Sequence, residues 1–414
     1  MKCRHCNSDL LHKLIDLGVT APSNSYLTSD MLNLPEKKYP LKVLVCDKCW
    51  LVQTEDFVGV DEMFSPDYAY FSSFSSTWLD HAKKYVDMIV KKASLSSSSC
   101  VVEIAANDGY LLQYVKQKNI PCYGIDPTHN TAATARKKGI EIIEDFFDIQ
   151  IASDLSKKNK QADLMIANNV LAHVPDINGF VKGFSILLKP NGIATFEFPH
   201  LLNLIEKNQF DTIYHEHYSY LSLTSVKTIF HTCGLEIFDV EELPTHGGSI
   251  RIYVQKIDTG MFPLEDRVQD MLDKEREAGM TSISFYKGFQ GKVDKIRHNF
   301  LLFLKNAHSK NLKVAAYGAA AKGNTLINFS NVNSDLIHCI VDKNTSKQGK
   351  FMPDNHIPIV NEEKLKEYKP DYVLILPWNI KEEIINQLSY VKEWGAKFFR
   401  IFDANISNKI GFKD

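Results

Sequence analysis

VVEIAANDGY, residues Val101–Tyr110, is the stretch that decides the fold of this 414-residue chain. A short apolar run ends at Ile104, small residues follow, and a helical pattern begins at Leu111. The next apolar run ends at Asp126, and ADLMIANNV and GIATFEFP continue the same alternation. Strands that alternate with helices predict a parallel, doubly wound α/β sheet.

The pattern extends on both sides of this sheet. A helix is predicted over Ser75–Lys92, and LEIFDVEELP and GGSIRIYVQK predict an antiparallel pair at the sheet edge. Residues 257–310 are charged and helical in pattern. After them KVAAYGAAAKGNTLINF, LIHCIVD, DYVLILPW and AKFFRIF repeat the alternation, which predicts a second Rossmann-like domain.

Charge and composition exclude several classes of protein. Lys and Arg total 48 against 50 Asp and Glu, a net charge of −2, which argues against a partner bound through bulk charge, such as a nucleic acid. The hydrophobic share of 44% is typical of a globular protein. Neither an apolar signal core nor an apolar run of about 18 residues is present, so we expect a cytoplasmic protein without a membrane partner.

Four of the eight cysteines form two CxxC knuckles, Cys3–Cys6 and Cys46–Cys49. Two knuckles supply four thiolates for one tetrahedral ion, and such a closed site predicts structural Zn²⁺. The 39 residues between them imply an insertion. The alternatives are two unrelated thiol pairs or a redox CxxC motif.

The turn after the first strand of the sheet has the features of a nucleoside site. Its small residues allow close approach of a ligand, and Asp126, about 20 residues on, suits ribose hydroxyls. Either NAD or S-adenosylmethionine fits, but the turn lacks G-x-G-x-x-G, and Glu103 suits the amino acid end of S-adenosylmethionine. Asp145 and Phe146 are expected at the adenine ring. The candidate cofactor-binding residues are Glu103, Ala105, Asn107, Gly109, Tyr110, Asp126, Asp145, Phe146, Asn168 and Asn169.

A second candidate site is the titratable cluster in DTIYHEHYSY, which contains Tyr214, Glu216 and His217. His173 follows a strand of the predicted sheet and is expected near the reactive end of the cofactor. A histidine with a carboxylate neighbour suits proton abstraction near neutral pH. Packing and surface polarity are the alternative, and a metal site is a weaker one, because the spacing is not that of H-E-x-x-H.

A third candidate site is the turn YGAAAKGNT, which contains Gly318, Lys322, Gly323 and Asn324. A glycine-rich turn at a helix start, with a lysine, suits a substrate diphosphate, although the order of Gly and Lys is not that of a P-loop. Arg251 either pairs with the same phosphates or holds a domain junction.

These motifs together resemble the sugar-nucleotide C-methyltransferases. The resemblance rests on the double CxxC, EIAANDGYLL, NNVLAHVPD, FDTIYHEHYSYLS, HGGSIRIYV and GAAAKGNTLIN, in the same order over essentially the whole chain. It implies a zinc-binding domain over 1–62, an S-adenosylmethionine domain over 63–256 and a Rossmann-like substrate domain over 257–414. A sugar nucleotide would lie between these parts.

The resemblance also implies the reaction, which is methylation at C3 of a 4-keto-deoxyhexose carried by a nucleoside diphosphate, typically dTDP. His217 matches the base of the family, and Tyr214, Glu216 and His173 match residues that shape the site. Tyr68 is assigned to the same site, with Tyr70 as its competitor and a substrate contact. An O- or N-methyltransferase and a non-catalytic zinc-containing module are the alternatives, and we expect a monomer.

Overall fold

The computed structural model describes residues 1–59, 63 and 70–402, and the Tyr68 prediction lies outside them. The strands of this part are β1 (His12–Thr20), β2 (Tyr39–Val45), β3 (Val52–Thr54), β4 (Val101–Ile104), β5 (Cys122–Ile125), β6 (Glu141–Ile143), β7 (Ala162–Asn168), β8 (Leu188–Pro199), β9 (Ser219–Tyr220), β10 (Leu235–Leu243), β11 (Ser249–Lys256), β12 (Val314–Tyr317), β13 (Ile340–Val341), β14 (Ile359–Val360), β15 (Tyr372–Ile375) and β16 (Lys397–Phe399).

The α-helices of the same residues are α1 (Ser76–Lys92), α2 (Leu112–Gln117), α3 (His129–Lys137), α4 (Ile149–Lys157), α5 (Ile177–Leu187), α6 (Leu201–Glu206), α7 (Leu223–Thr232), α8 (Asp266–Ala278), α9 (Ile283–Tyr286), α10 (Phe289–Ser309), α11 (Ala321–Phe329), α12 (Glu362–Tyr368) and α13 (Lys381–Gln387). Within the described residues, none of these helices is both long and apolar enough to cross a membrane.

The chain forms two compact units, each built from several segments. The described residues of the first unit come from Met1–His12, Leu44–Asn203 and His217–Tyr286. Those of the second unit come from Lys13–Val43, Leu204–Glu216 and 287–402.

The first unit contains a seven-stranded sheet in the order β10-β11-β8-β7-β4-β5-β6. The strands from β4 to β8 run parallel, and all four residues of β4 are buried, as expected for a strand covered on both faces. β11 pairs antiparallel with both β8 and β10, which confirms the predicted antiparallel pair at the sheet edge. The predicted linking helix is α1, whose buried residues Ala82, Tyr85, Val86 and Ile89 recur at helical spacing.

The second unit contains a five-stranded parallel sheet in the order β14-β13-β12-β15-β16. Its strand order reverses between β12 and β15, and the carboxyl ends of these two strands are where doubly wound sheets bind ligands. The parallel order of these five strands confirms the predicted second Rossmann-like sheet. β1 and β2, which lie mainly in the second unit, are neighbours in a separate sheet.

The zinc knuckles have no core of their own. Cys3, Cys46 and Cys49 are buried in the same hydrophobic cluster as the strands of the seven-stranded sheet, whereas the inserted segment Lys13–Val43 belongs to the second unit. Val268 and Met271 of α8 extend that cluster beyond residue 257. The two compact units therefore do not coincide one to one with the three predicted blocks, whose boundaries stay a prediction.

Candidate functional site

The turn after β4 is held in a conformation that exposes backbone groups. Ala105, Asn107 and Gly109 all have positive φ, at 57°, 50° and 73°. A Cβ on Gly109 would lie 2.5 Å from Ile140 Cδ1 and 3.2 Å from Ala135 Cβ, and the positive φ adds strain, so this position favours glycine. The turn therefore brings bare backbone to the carboxyl end of the sheet, as the sequence predicted.

Glu103, at the end of β4, is the strongest sign of an absent ligand. Its side chain is buried, and both carboxylate oxygens lack a partner with full hydrogen-bond geometry among the described residues. Burial raises its pKa well above the usual value and outweighs the lowering effect of Tyr110 and of the Leu112 backbone, while the carboxylates of Asp126 and Asp108 raise it further. Ionising a buried carboxyl group is costly, and a cationic ligand group would compensate this cost. The pocket therefore fits the ammonium end of S-adenosylmethionine.

Asp126 fixes the geometry of this turn. Its Oδ2 accepts a hydrogen bond from the backbone N–H of Asn107 at 2.8 Å, and its Oδ1 accepts one from the N–H of Thr128 at 2.9 Å. Each oxygen of a carboxylate offers two acceptor positions, so Oδ2 keeps one for a ribose hydroxyl. The ribose role of Asp126 stays a prediction.

The other candidate cofactor residues divide into two groups. Asn168, at the end of β7, is buried and its Oδ1 has no partner in the described residues, whereas Asn169 Nδ2 lies 3.1 Å from His246 Nε2. Asp145 and Phe146 are exposed beyond β6. Asp145 and Phe146 can therefore contact adenine only if the bound cofactor extends to the β6 edge of the sheet.

An aromatic cluster that sequence reasoning missed lies against Tyr110. The Trp78 ring stacks on Tyr110 at a centroid distance of 5.8 Å and on His81 at 4.9 Å. His246 contacts the same indole edge-on at 5.2 Å. The available signal is the i, i+3 pair Trp78 and His81 within the helix that the sequence predicted over Ser75–Lys92. Tyr70 is exposed, and its carbonyl oxygen accepts a hydrogen bond from Asn107 Nδ2 at 3.1 Å.

Arg251 is committed to carboxylates of its own unit. Its Nη2 donates to Glu197 at 2.6 Å and its Nη1 to Glu241 at 2.7 Å. His81 Nε2 lies 2.8 Å from the same Glu197. This ion cluster favours a structural role for Arg251, and we do not propose it as a phosphate ligand.

His173 and His217 are brought together in the first unit. Their ring centroids are 4.6 Å apart and nearly perpendicular, and Tyr220 lies 6.1 Å from His217. Thr54 fixes the backbone here, because its Oγ1 donates to the carbonyl oxygen of His217 at 3.1 Å. The sequence placed His173 near the reactive end of the cofactor because it follows β7, whereas a common site with His217 was implied only by the family resemblance.

Tyr214 and Glu216 belong to the second unit. Glu216 is buried, and Asn24 Nδ2 donates to its Oε1 at 2.5 Å. Asn24 comes from the inserted segment between the knuckles, and nothing in the sequence singled it out.

The glycine-rich turn after β12 is closely packed within the second unit. A Cβ on Gly318 would lie 2.5 Å from Pro377, and one on Gly323 would lie 2.7 Å from Leu376. Lys322 Nζ donates to Asn379 Oδ1 at 2.7 Å and lies 4.7 Å from the centroid of the Trp378 ring.

Buried polar groups that a ligand could contact lie in this turn and elsewhere in the second unit. Asn324 is fully buried and its Nδ2 has no partner among the described residues. Trp378 Nε1 donates to Asp211 at 2.6 Å, and burial raises the pKa of Asp211 to about 6. Burial also lowers the pKa of Lys322. The phosphate role of Lys322 stays a prediction.

The four knuckle cysteines form a metal site. Their Sγ atoms all lie within 4.8 Å of one another, and the Cys3–Cys49 and Cys6–Cys46 pairs are 3.5 Å apart. Tetrahedral Zn–S bonds of about 2.3 Å place sulfurs about 3.8 Å apart, so the cluster fits Zn²⁺. Asn7 and Trp50, one residue after each knuckle, share φ of 61°. Four thiolates leave no open position, which makes the zinc structural.

Comparison with known proteins agrees with this geometry. A zinc-binding domain model matches residues 3–64, a methyltransferase domain model matches 78–240, and a C-methyltransferase C-terminal domain model matches 244–402. The magnesium protoporphyrin IX methyltransferase ChlM of Synechocystis PCC 6803 is a structural neighbour at 15% identity, covering 43% of this chain and 82% of its own, with a TM-score of 0.35. The protein is an S-adenosylmethionine-dependent methyltransferase with a zinc-binding domain.

Two curated relatives refine this class. The C-methyltransferase NovU of Streptomyces niveus is 32% identical over 397 residues, which cover 96% of this chain and 94% of NovU. A ubiquinone biosynthesis O-methyltransferase of Actinobacillus pleuropneumoniae serotype 5b (strain L20) is 27% identical over 30% of this chain and 61% of its own. The chain belongs to the C-methyltransferase family that includes NovU, which confirms the resemblance and disfavours the O-methyl, N-methyl and non-catalytic alternatives.

Proposed function

We propose that this C-methyltransferase acts on a nucleotide-linked 4-keto-deoxy sugar and methylates its C3 carbon after removing the C3 proton. The carrier nucleotide is proposed to be dTDP. The observation that carries the proposal is the pair of imidazoles of His173 and His217, with centroids 4.6 Å apart, in the unit that holds the Glu103 pocket.

The proposal assigns proton abstraction to His217. A C–H bond beside a ketone loses its proton readily only when a base is near and the enolate oxygen is stabilised. Neutral imidazole is a base suited to physiological pH, and the Thr54 hydrogen bond to the His217 carbonyl holds this backbone in place. His173 packs edge-on against the base and restricts its orientation. Bound S-adenosylmethionine supplies the electrophilic methyl group.

Deuterium exchange tests the proposal directly. Wild-type protein in D₂O is expected to wash out the C3 proton of a dTDP-4-keto-deoxyhexose, whereas His217→Ala loses exchange and turnover but retains affinity for S-adenosylmethionine. His231→Ala, an exposed histidine of α7, is the matched control. Near-normal turnover by His217→Ala would remove this residue as the base. A thermal-shift series with dTDP, CDP and GDP in the presence of S-adenosylhomocysteine identifies the carrier nucleotide.

A further inference from the structure

Gln53, in β3, contacts the first zinc knuckle through both ends of its side-chain amide. Its Oε1 accepts a hydrogen bond from the backbone N–H of Arg4 at 2.9 Å, and its Nε2 donates to Cys3 Sγ at 3.2 Å. The N–H of Arg4 can only donate, so the amide oxygen faces Arg4 and the amide nitrogen faces the sulfur. Gln53 is fully buried, and it was not predicted from the sequence.

The sulfur of Cys3 needs such a donor when the metal is bound. Four thiolates outweigh the two positive charges of Zn²⁺, so the loaded site carries an excess of negative charge. Cys3 is buried, and a buried charge is costly unless neighbouring groups donate hydrogen bonds to it. An N–H donor at a metal-bound thiolate reduces this cost and fixes the direction of the sulfur, which strengthens metal binding.

The strand that carries Gln53 also contacts the segment that begins at His217. Gln53 is the antiparallel partner of Ser219 in β9, and Thr54 Oγ1 donates to the carbonyl oxygen of His217 at 3.1 Å. Arg4 contacts the same strand from the knuckle, because its Nη2 donates to the carbonyl oxygen of Thr54 at 2.7 Å. All of these residues belong to the first unit. The short strand β3 therefore lies between the zinc knuckle and the backbone of His217.

We propose that Gln53 supports the structural zinc by donating to the Cys3 thiolate, and that β3 thereby links the zinc site to the backbone of His217. The bound metal fixes Cys3, the amide of Gln53 anchors β3 to this thiolate, and β3 in turn orders β9. The inference about zinc is independent of the proposed function. Only the importance of the His217 backbone for methyl transfer rests on it.

Zinc affinity tests this role in the full-length protein. Gln53→Met keeps the length of the side chain but removes both amide hydrogen bonds. Its affinity for zinc, measured by competition with a chromophoric chelator, is expected to fall about 10- to 100-fold, the range for residues that hold a metal ligand. Wild-type zinc affinity in this variant would overturn the proposal.

Gln255→Met is the matched control. Gln255 is also buried in the first unit, and its amide bonds the backbone N–H and carbonyl oxygen of Phe262, each at 2.9 Å. This variant is expected to lose stability and to keep wild-type zinc affinity. An equal loss of zinc affinity in Gln255→Met would show that general destabilisation is the cause, which overturns the role of Gln53.

A second variant covers the case in which Gln53→Met does not fold. Gln53→Asn keeps a buried amide, but a side chain one methylene shorter cannot bond both Arg4 and Cys3 at the distances observed. Its zinc affinity is expected to fall in the same direction. Wild-type affinity in folded Gln53→Asn protein would overturn the proposal.

Hydrogen–deuterium exchange tests the link to β9. With zinc in saturating excess, Gln53→Met is expected to exchange faster than wild type in peptides that cover Ser219–Tyr220, and at the wild-type rate in peptides that cover Glu141–Ile143 of β6. Unchanged exchange at β9 would overturn the link, whatever the zinc affinity. Absence of C3 washout by wild-type protein would overturn the proposed function and leave these two measurements unaffected.

Discussion

Replacement of Arg251 by methionine tests whether the ion cluster at the end of β8 is structural. The guanidinium donates to Glu197 and Glu241, and its Cζ lies 4.4 Å from the centroid of the Tyr85 ring. The side chain of Arg251 is 4% exposed and that of Glu197 is fully buried. Removal of one partner from a buried ion pair costs about 3–5 kcal/mol, because the other charge is left uncompensated. We expect Arg251→Met to lower the free energy of unfolding by that amount at pH 7.

The pKa of Glu197 gives a second value for the free energy by which this ion cluster stabilises the fold. Burial raises this pKa, but the hydrogen bond from His81 and the charge of Arg251 outweigh burial and lower the pKa from 4.5 to about 2. A shift of about 2.5 units corresponds to about 3 kcal/mol. Since the folded pKa lies below the unfolded value, this stabilisation is present above pH 4.5 and is lost as the pH falls towards 2.

Urea denaturation followed by circular dichroism, from pH 7 down to pH 3, measures both effects. The Arg251→Met protein should be less stable at pH 7 and should lose less stability on acidification, because its Glu197 pKa is closer to 4.5. Arg276→Met is the control, since Arg276 is 63% exposed and pairs with Asp273 on the same helix, where about 0.5 kcal/mol is expected. The reasoning would be refuted if Arg251→Met lowered the free energy of unfolding at pH 7 by less than about 1 kcal/mol. It would also be refuted if the loss of stability between pH 7 and pH 3 were the same as in wild type.

Two other substitutions test the metal site and the cofactor pocket. Cys46→Ser should release the zinc, measured as metal per chain by plasma mass spectrometry, whereas Cys100→Ser should retain it; a protein without stoichiometric zinc in its native form would contradict the ligand assignment. Glu103→Gln should weaken binding of S-adenosylmethionine at least about tenfold in calorimetry, as expected for loss of a charged hydrogen bond. The same variant should be more stable than wild type above pH 4.5, because the raised pKa of Glu103 makes ionisation costly in the folded state. Glu141→Gln, on the exposed end of β6, should change neither quantity.

The sequence was sufficient for the parts of the fold that are encoded locally. Buried parallel strands appear in the sequence as short apolar runs, so β4 and β7 could be predicted. The helix α1 could be predicted from the helical spacing of its apolar residues. Strands of two or three residues, such as β6 and β14, carry too little pattern to be distinguished from loops. The position of His173 followed from topology, because ligand-binding residues gather at the carboxyl ends of central strands, whereas its contact with His217 did not.

The partners of the candidate residues could not be predicted, because they come from distant segments. The Asn24–Glu216 contact spans 192 positions, and the Trp378–Asp211 contact spans 167. The motif around Lys322 predicts a phosphate-binding lysine, but no local pattern reveals that Asn379 accepts its hydrogen bond. Arg251 is a similar case, since the sequence left two roles open and only its ion pairs with Glu197 and Glu241 favour one of them.

The zinc site closes a loop of the chain between its two knuckles. Cys6 and Cys46 enclose 39 residues, and both ends of this loop are fixed when the four thiolates share one ion. Closing a flexible loop of this length costs about 3 kcal/mol of chain entropy, beyond a constant term. Without the metal, contacts such as Asn24 to Glu216 and Thr20 Oγ1 to Asp354 at 3.0 Å would have to order the segment unaided. The zinc is therefore expected to lower the chain entropy that is lost when the inserted segment becomes ordered.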